Sequence, residues 1–302
     1  MTDPELAGWS RAVMDTVVTI RLAVPATSAA EFEPLVEQAF DWFDAVEAAC
    51  SRFASGSEVR ELAGRVGAPV ALSPILLAAL TVAMQVAEHT GGAFDPTIGH
   101  ELAVAGFDRD YRTGEAVPGL AELVPGLSDA DVGTIEDLHL DPSEGTVVLD
   151  RPLLLELGAI AKGLAIDLAA QELLTLPGAT INAGGDAYLH GTDPAGHGWR
   201  TGIADPHRPG ELLTELPLSD LAIATSGEYA RPGHLLTKKP PADPLASVTV
   251  LAPTAMAADA LSTAVLLLGR SAGLELLAET EGVAALLVSA TGELHLTEDW
   301  PA

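Results

Sequence analysis

Two apolar periodicities are interleaved along this chain, and they never settle into a regular strand–helix–strand repeat. Thr16 to Leu22 alternates as a half-buried strand does. From Glu31 to Ala49, Leu35, Ala39, Trp42, Phe43 and Val46 recur at helical spacing with acids between them. Ser73-Pro74 supplies an N-cap and a first-turn proline, so a helix is expected to about Glu88, stopping at Thr90-Gly91-Gly92. Residues 108–141, with several glycines and prolines, read as loops around short elements. Thr146 to Leu157 is an apolar run broken by Asp150-Arg151-Pro152, and it feeds through Gly158 into a helix over 160–174. Strands are expected at 180–182, 187–190, 199–203, 221–224 and 248–251, and helices at 256–268 and 272–278. A closing hairpin joins 283–289 to 294–296 through Thr291-Gly292. This order predicts the α+β class in one domain.

Charge narrows the partners. Acids outnumber bases 43 to 15, for a formal charge of −28. Such a field repels a phosphate backbone and an anionic membrane alike, so neither nucleic acid nor a lipid surface is expected. A phosphorylated small ligand meets the same field and needs a metal ion or a cluster of donors to offset it. The single cysteine, Cys50, excludes an intrachain disulfide and follows a helical apolar face, which predicts a buried, unreactive thiol. The first 13 residues have no basic start or apolar core, and no stretch reaches the roughly 18 apolar residues of a membrane span. As given, the chain reads as cytoplasmic, with a trimmed leader as the alternative.

Only Lys162, Lys238 and Lys239 are lysines. Lys162 lies in Gly158-Ala-Ile-Ala-Lys-Gly163, where a strand gives way to a helix. Amides at such a helix start attract phosphate, and a lysine one turn in reinforces them. The spacing is not that of a Walker A loop, because no serine or threonine follows the lysine. The plainer reading pairs Lys162 with an acid such as Glu156 or Asp167. In Asp259-Ala-Leu-Ser-Thr263 the carboxylate and hydroxyl share a helix face, and two hard oxygens with phosphates and water suit magnesium. The plainer reading makes Asp259 a dipole partner near a helix start. Thr90-Gly-Gly-Ala-Phe-Asp95-Pro-Thr97 permits close backbone approach to a nucleotide, or is a turn stapled by Asp95. Asn182-Ala-Gly-Gly-Asp186 is a tight turn, and the plainer reading has Asp186 satisfy turn amides. Thr225-Ser-Gly227 precedes His234, which is otherwise a surface histidine.

In their order these segments, with Met14-Asp-Thr16, Ser51-Arg-Phe53, Ser57-Glu58 and Gly106-Phe-Asp-Arg-Asp110, resemble the FAD:protein FMN transferase family, also called ApbE. The resemblance implies an α+β domain of mixed sheets flanked by helices over 11–297, with 1–10 and 298–302 as tails. It implies a magnesium-dependent enzyme that takes FAD as substrate. The FMN half would move to a threonine or serine hydroxyl of an acceptor flavoprotein, with release of AMP. Relatives that hydrolyse FAD to FMN and AMP, or that mainly hold the flavin, give the alternatives.

Carried over by the resemblance, Met14, Phe53, Ala93, Phe94, Asp95, Glu156, Lys162 and Leu235 would line the FAD. Asp259, Thr263 and the carbonyl of Ala159 would hold Mg²⁺, and His234 would accept the acceptor hydroxyl's proton. The chain departs from the family where Leu235-Leu-Thr-Lys-Lys follows His234 in place of Ile-Ile-Asp-Pro-Arg-Thr-Gly. It also carries Glu156 where aspartate is usual, Asp15 where glycine is common, and Ala63 where many relatives have asparagine.

Overall fold

The computed structural model describes residues 6–110, 114–227 and 240–301. The chain opens with β1 (Leu6–Val13), β2 (Thr16–Pro25), α1 (Ala29–Cys50), α2 (Glu58–Leu62), β3 (Val70–Ala71) and α3 (Pro74–His89). It continues through α4 (Gly99–Val104), α5 (Leu120–Leu123), β4 (Leu138–Asp141), β5 (Thr146–Leu149) and α6 (Gly158–Leu173). Then come β6 (Gly178–Ala183), β7 (Asp186–Gly191), β8 (Trp199–Ala204), β9 (Leu212–Leu218) and β10 (Leu221–Gly227). The last elements are β11 (Leu245–Ala252), α7 (Ala255–Leu268), α8 (Arg270–Ala278), β12 (Ala284–Ser289) and β13 (Leu294–Leu296). Mixed helices and antiparallel sheets give the expected α+β class.

The described residues gather into two compact units, one of 6–43, 162–227 and 240–301 and one of 44–161 without 111–113.

The first unit is built on an eight-stranded sheet in the order β1-β2-β6-β7-β10-β11-β12-β13, antiparallel at every pairing. Its middle strands are buried at consecutive positions, 222–224 in β10 and 247–252 in β11, as strands covered on both faces must be. The β8–β9 ribbon packs Trp199, Ile203, Leu216 and Leu218 against Ile223, Leu251 and Leu189. Helix α7 lies across β10 and β11. Each large side chain so buried contributes about 1.5–3 kcal/mol relative to exposure. Gly163 sets how closely α6 meets α7, because a Cβ there would run into the carbonyl of Ala255.

Three turns or strand ends come together at one end of this sheet. Met14-Asp15 joins β1 to β2, with Val13 opposite Thr16. Gly184-Gly185 joins β6 to β7, and β10 ends in Thr225-Ser226-Gly227.

The second unit holds the small antiparallel sheet β3-β5-β4 with α2, α3, α4 and α5. The Ser73 Oγ accepts the Leu76 N–H at 3.2 Å, so α3 starts at its expected cap. The apolar run from Thr146 ends as a strand at Leu149. Asp150-Arg151-Pro152 interrupts the ladder, yet Leu153, Leu154, Leu155 and Leu157 stay buried. Burial pushes the Cys50 thiol up to about 12, with Glu58 adding to it.

Two segments differ from expectation. Residues 6–10, read as part of a tail, are strand β1 paired with β2, and Trp300 packs against the β8–β9 core. Strand β9 also went unexpected, because Thr214, Glu215 and Pro217 dilute its apolar pattern. Among the described residues no helix is long and apolar enough to cross a membrane.

Candidate active site

In the first unit, Lys162 stands between two carboxylates. Its Nζ lies 2.7 Å from Asp186 Oδ2 and 3.0 Å from Asp259 Oδ2. Three elements meet here: α6 brings the lysine, the start of β7 brings Asp186, and α7 brings Asp259. Both carboxylate side chains are under a tenth exposed, whereas that of Lys162 is 28% exposed. The Asp259 Oδ2 also accepts the Gly163 N–H at 3.2 Å, and Asp186 Oδ1 accepts the Thr225 N–H at 3.2 Å.

Burial pushes the Asp259 carboxyl up to about 6; Lys162 opposes this, Asp186 adds to it, and the Gly163 N–H opposes it again. Burial alone would lower the Lys162 ammonium, but Asp186 and Asp259 outweigh it and hold the group above its ordinary value. One ammonium against two carboxylates leaves an anionic centre if both acids ionise.

The local pairing considered for Lys162 does not form, for a physical reason. Glu156 is held in its own unit by the Arg52 Nε and by the Gly158 N–H at 2.8 Å. Asp167 spans the Ala255 and Met256 amides at 2.7 and 2.9 Å. Those bonds, with Thr254 Oγ1 taking the Ala257 N–H at 3.3 Å, serve the first turn of α7. Asp259, a turn further on, is thereby left to face α6 and not the helix start.

Hydroxyl groups adjoin Asp259. Thr263 shares its helix face, and Ser226 Oγ lies 2.9 Å from Thr263 Oγ1 and 2.8 Å from Ser262 Oγ. Ser262 Oγ donates to the Asp259 carbonyl at 3.0 Å. Among the described residues no group of three or more histidines, cysteines and acids could hold a metal. The donors present are one carboxylate and neighbouring hydroxyls, all hard oxygen. They fit a cation such as Mg²⁺, which takes few protein ligands and keeps water or phosphate for the rest. Met14 lies at the same end of the sheet as Asp186 and Ser226, in a turn where it and Asp15 take φ of 53° and 59°.

The second unit holds the other candidates. Phe53 lies under the Arg52 guanidinium, 4.0 Å from ring centroid to Cζ. Arg52 is buried, and its ion pair with Glu156 ties the Ser51-Arg52-Phe53 segment to the residues entering α6. Ala159 is in the first turn of α6, three residues before Lys162. Thr90 Oγ1 takes the Phe94 N–H at 3.1 Å, and Asp95 Oδ1 takes the Thr97 N–H at 2.9 Å and its hydroxyl at 2.6 Å. Phe94 and Asp95 are buried and Ala93 is half-buried, so the stapled-turn reading of this segment describes its internal bonding. His234 and Leu235 lie outside the described residues.

The sequence profile of the ApbE family matches residues 14–287. The chain belongs to the ApbE family. Two of its relatives are each named FAD:protein FMN transferase. The one from Haemophilus influenzae is 31% identical over 252 residues, covering 78% of this chain and 71% of that protein. The one from Treponema pallidum is 32% identical over 314 residues, covering 93% and 84%. Among solved structures, the flavin transferase ApbE from Vibrio cholerae superposes with a TM-score of 0.80 at 26% identity, over 97% of each chain. The ApbE protein from Thermotoga maritima gives 0.79 at 26%, again over 97% of each.

Within this ApbE chain the structure brings Lys162 to Asp259, which lies one turn before Thr263 on α7. It adds three residues that the sequence reading left out of the site: Asp186, Ser226 and Ser262. Asp186 and Ser226 sat in segments already singled out, Asn182–Asp186 and Thr225–Gly227, but only the tertiary fold turns them toward Lys162 and Thr263. Arg52 likewise stood in a quoted segment, with no local sign that it would hold Glu156.

Proposed function

We propose that the chain is a magnesium-dependent FAD:protein FMN transferase, moving FMN from FAD to a threonine or serine hydroxyl of an acceptor flavoprotein. One observation carries this reading: the Asp259 carboxylate, which shares a face of α7 with Thr263, lies 3.0 Å from the Lys162 ammonium. Family membership and the names of the relatives support the reaction class.

Asp259, Thr263 and the carbonyl of Ala159 would hold the metal. Bound there, Mg²⁺ would neutralise and polarise the FAD pyrophosphate, which an anionic chain cannot do alone. Lys162 would add positive charge beside the phosphates. Met14, Phe53, Ala93, Phe94, Asp95, Glu156 and Leu235 would line the nucleotide. The acceptor oxygen would attack the phosphorus of the FMN half, and the phosphorus–oxygen bond to the AMP half would break. The acceptor proton would pass to His234, and AMP would leave with the bridging oxygen. The protein then contributes mainly positioning and charge stabilisation.

The test incubates the full chain with FAD, Mg²⁺ and an acceptor flavoprotein domain, following acceptor mass and AMP together. An acceptor heavier by one FMN residue, with equal AMP, is expected. AMP without modified acceptor would replace transfer with FAD hydrolysis. Retained FAD with neither product would make the chain a flavin-binding protein.

A further inference from the structure

We propose that Ser226 is a positioning residue for the metal ligand Thr263, fixing which way its hydroxyl proton points; this rests on the magnesium site proposed above. Each hydroxyl has one proton to donate and lone pairs to accept with. Ser262 Oγ lies 3.0 Å from the Asp259 carbonyl, which has no proton, so Ser262 must be the donor there.

Its only proton spent, Ser262 can take part in the 2.8 Å contact with Ser226 only as acceptor. Ser226 therefore donates to Ser262, and its own only proton is spent. In the 2.9 Å contact between Ser226 and Thr263, Thr263 must then be the donor. The chain runs one way: Thr263 to Ser226, Ser226 to Ser262, Ser262 to the backbone of Asp259.

The consequence lies at Thr263 Oγ1. Its proton is turned toward β10, so what the oxygen presents elsewhere is lone-pair density alone. A cation requires that orientation and a proton pointing at it would oppose it. The anchor of the chain is the carbonyl of Asp259, the residue that would supply the carboxylate ligand. Ser262 and Thr263 are buried, so water offers Thr263 little alternative acceptor. Partners that orient a metal ligand typically change metal affinity by about 10–100-fold when removed.

The experiment titrates Mn²⁺, as a paramagnetic stand-in for Mg²⁺, into the full chain with ADP present. ADP carries a diphosphate but no flavin to transfer, and free Mn²⁺ is counted by electron paramagnetic resonance. Ser226→Ala should weaken Mn²⁺ binding about 10-fold or more, within that range. Ser226→Thr, which keeps the accepting oxygen, should stay close to the parent chain. Ser262→Ala, which frees the Ser226 proton to turn back on Thr263, should weaken binding as well; it carries the test if Ser226→Ala fails to fold.

Thr263→Ala and Asp259→Ala separate the two levels of the argument. If they weaken Mn²⁺ binding and Ser226→Ala and Ser262→Ala do not, the positioning role is overturned and the metal site stands. Equal losses in Ser226→Thr and Ser226→Ala would also overturn it. If Thr263→Ala and Asp259→Ala change nothing, the metal lies elsewhere and the functional reading falls first.

Discussion

Asp167 on α6 holds the Met256 amide of α7 at 2.9 Å, and with its other oxygen the Ala255 amide at 2.7 Å. One carboxylate thus fixes the start of the helix that carries Asp259 and Thr263 to the helix that carries Lys162. Burial pushes this carboxyl up to about 6, against the downward pull of the two amides.

The sign of the pH effect follows from that shift. A carboxyl whose folded pKa lies above its unfolded value favours the fold most while protonated. Its contribution is fully present below about pH 4 and is lost as pH rises through about 6. Relative to Asp167→Asn, the parent chain should lose up to about 3 kcal/mol of stability between pH 4 and pH 7, at 1.36 kcal/mol per pKa unit. Urea unfolding at both pH values checks this. A gap that widened in favour of the parent at pH 7 would show that the amides outweigh burial.

Lys162→Met leaves Asp186 and Asp259 facing each other without their shared cation. Breaking a buried pair by removing one partner is expensive, and here the loss at pH 8 should be about 3 kcal/mol. Toward pH 5 the loss should shrink, because a proton can replace the ammonium on one of the two acids. Thermal unfolding across this range is the measurement. A loss that did not change with pH would place its origin in packing of the lysine stem and not in charge.

The outline of the fold was legible wherever a local signal and a tertiary demand coincide. Ser73-Pro74 announces α3 because a cap serves the same amide in isolation and in the folded chain. The apolar runs at 221–224 and 248–251 announce β10 and β11 because strands covered on both faces cannot alternate. Strands β1 and β9 were not legible, since Gly8, Ser10 and Arg11 in one and Thr214, Glu215 and Pro217 in the other blur the apolar alternation, and their pairing partners supply the order. The site divides in the same way. Lys162, Asp259 and Thr263 could be singled out from spacing within α6 and α7. Asp186 could not be joined to them, because nothing within Asn182–Asp186 indicates that the chain will bring it to a lysine one helix earlier. Local reasoning even favoured the wrong acids for Lys162, as Glu156 and Asp167 are near in sequence but already occupied by Arg52 and by the α7 amides.

Arg52 and Glu156 should prove coupled in a double-mutant cycle of Arg52→Met and Glu156→Gln. The pair is mostly buried, and Glu156 also holds the Gly158 amide, so neither partner has an easy substitute. A coupling energy of about 1–3 kcal/mol in chemical unfolding is expected for such contacting charges. Glu156→Asp, which restores the residue usual in the family, shortens the side chain by one methylene and should recover only part of it. Additive effects of the two single changes would reduce the pair to a surface-like contact.

Met14 offers a test in which stability and binding move in opposite directions. Val13 lies opposite Thr16, so Met14 and Asp15 form a two-residue hairpin turn with both residues at positive φ. Such a turn matches the twist of its strands but is usually built from asparagine and glycine, which tolerate that backbone. A side chain held there costs about 1–2 kcal/mol. Met14→Gly should relieve the strain, and after the extra entropy of glycine in the unfolded chain a gain of about 0.5–1 kcal/mol should remain. If the methionine side chain packs against FAD, the same variant should bind FAD several-fold more weakly. Met14→Ala separates the two effects, since it keeps the strained backbone and removes the contact: it should lose affinity without gaining stability. Flavin fluorescence titration alongside urea unfolding reads both quantities. Unchanged FAD affinity in both variants would remove Met14 from the nucleotide site and leave its positive φ as a feature of the hairpin alone.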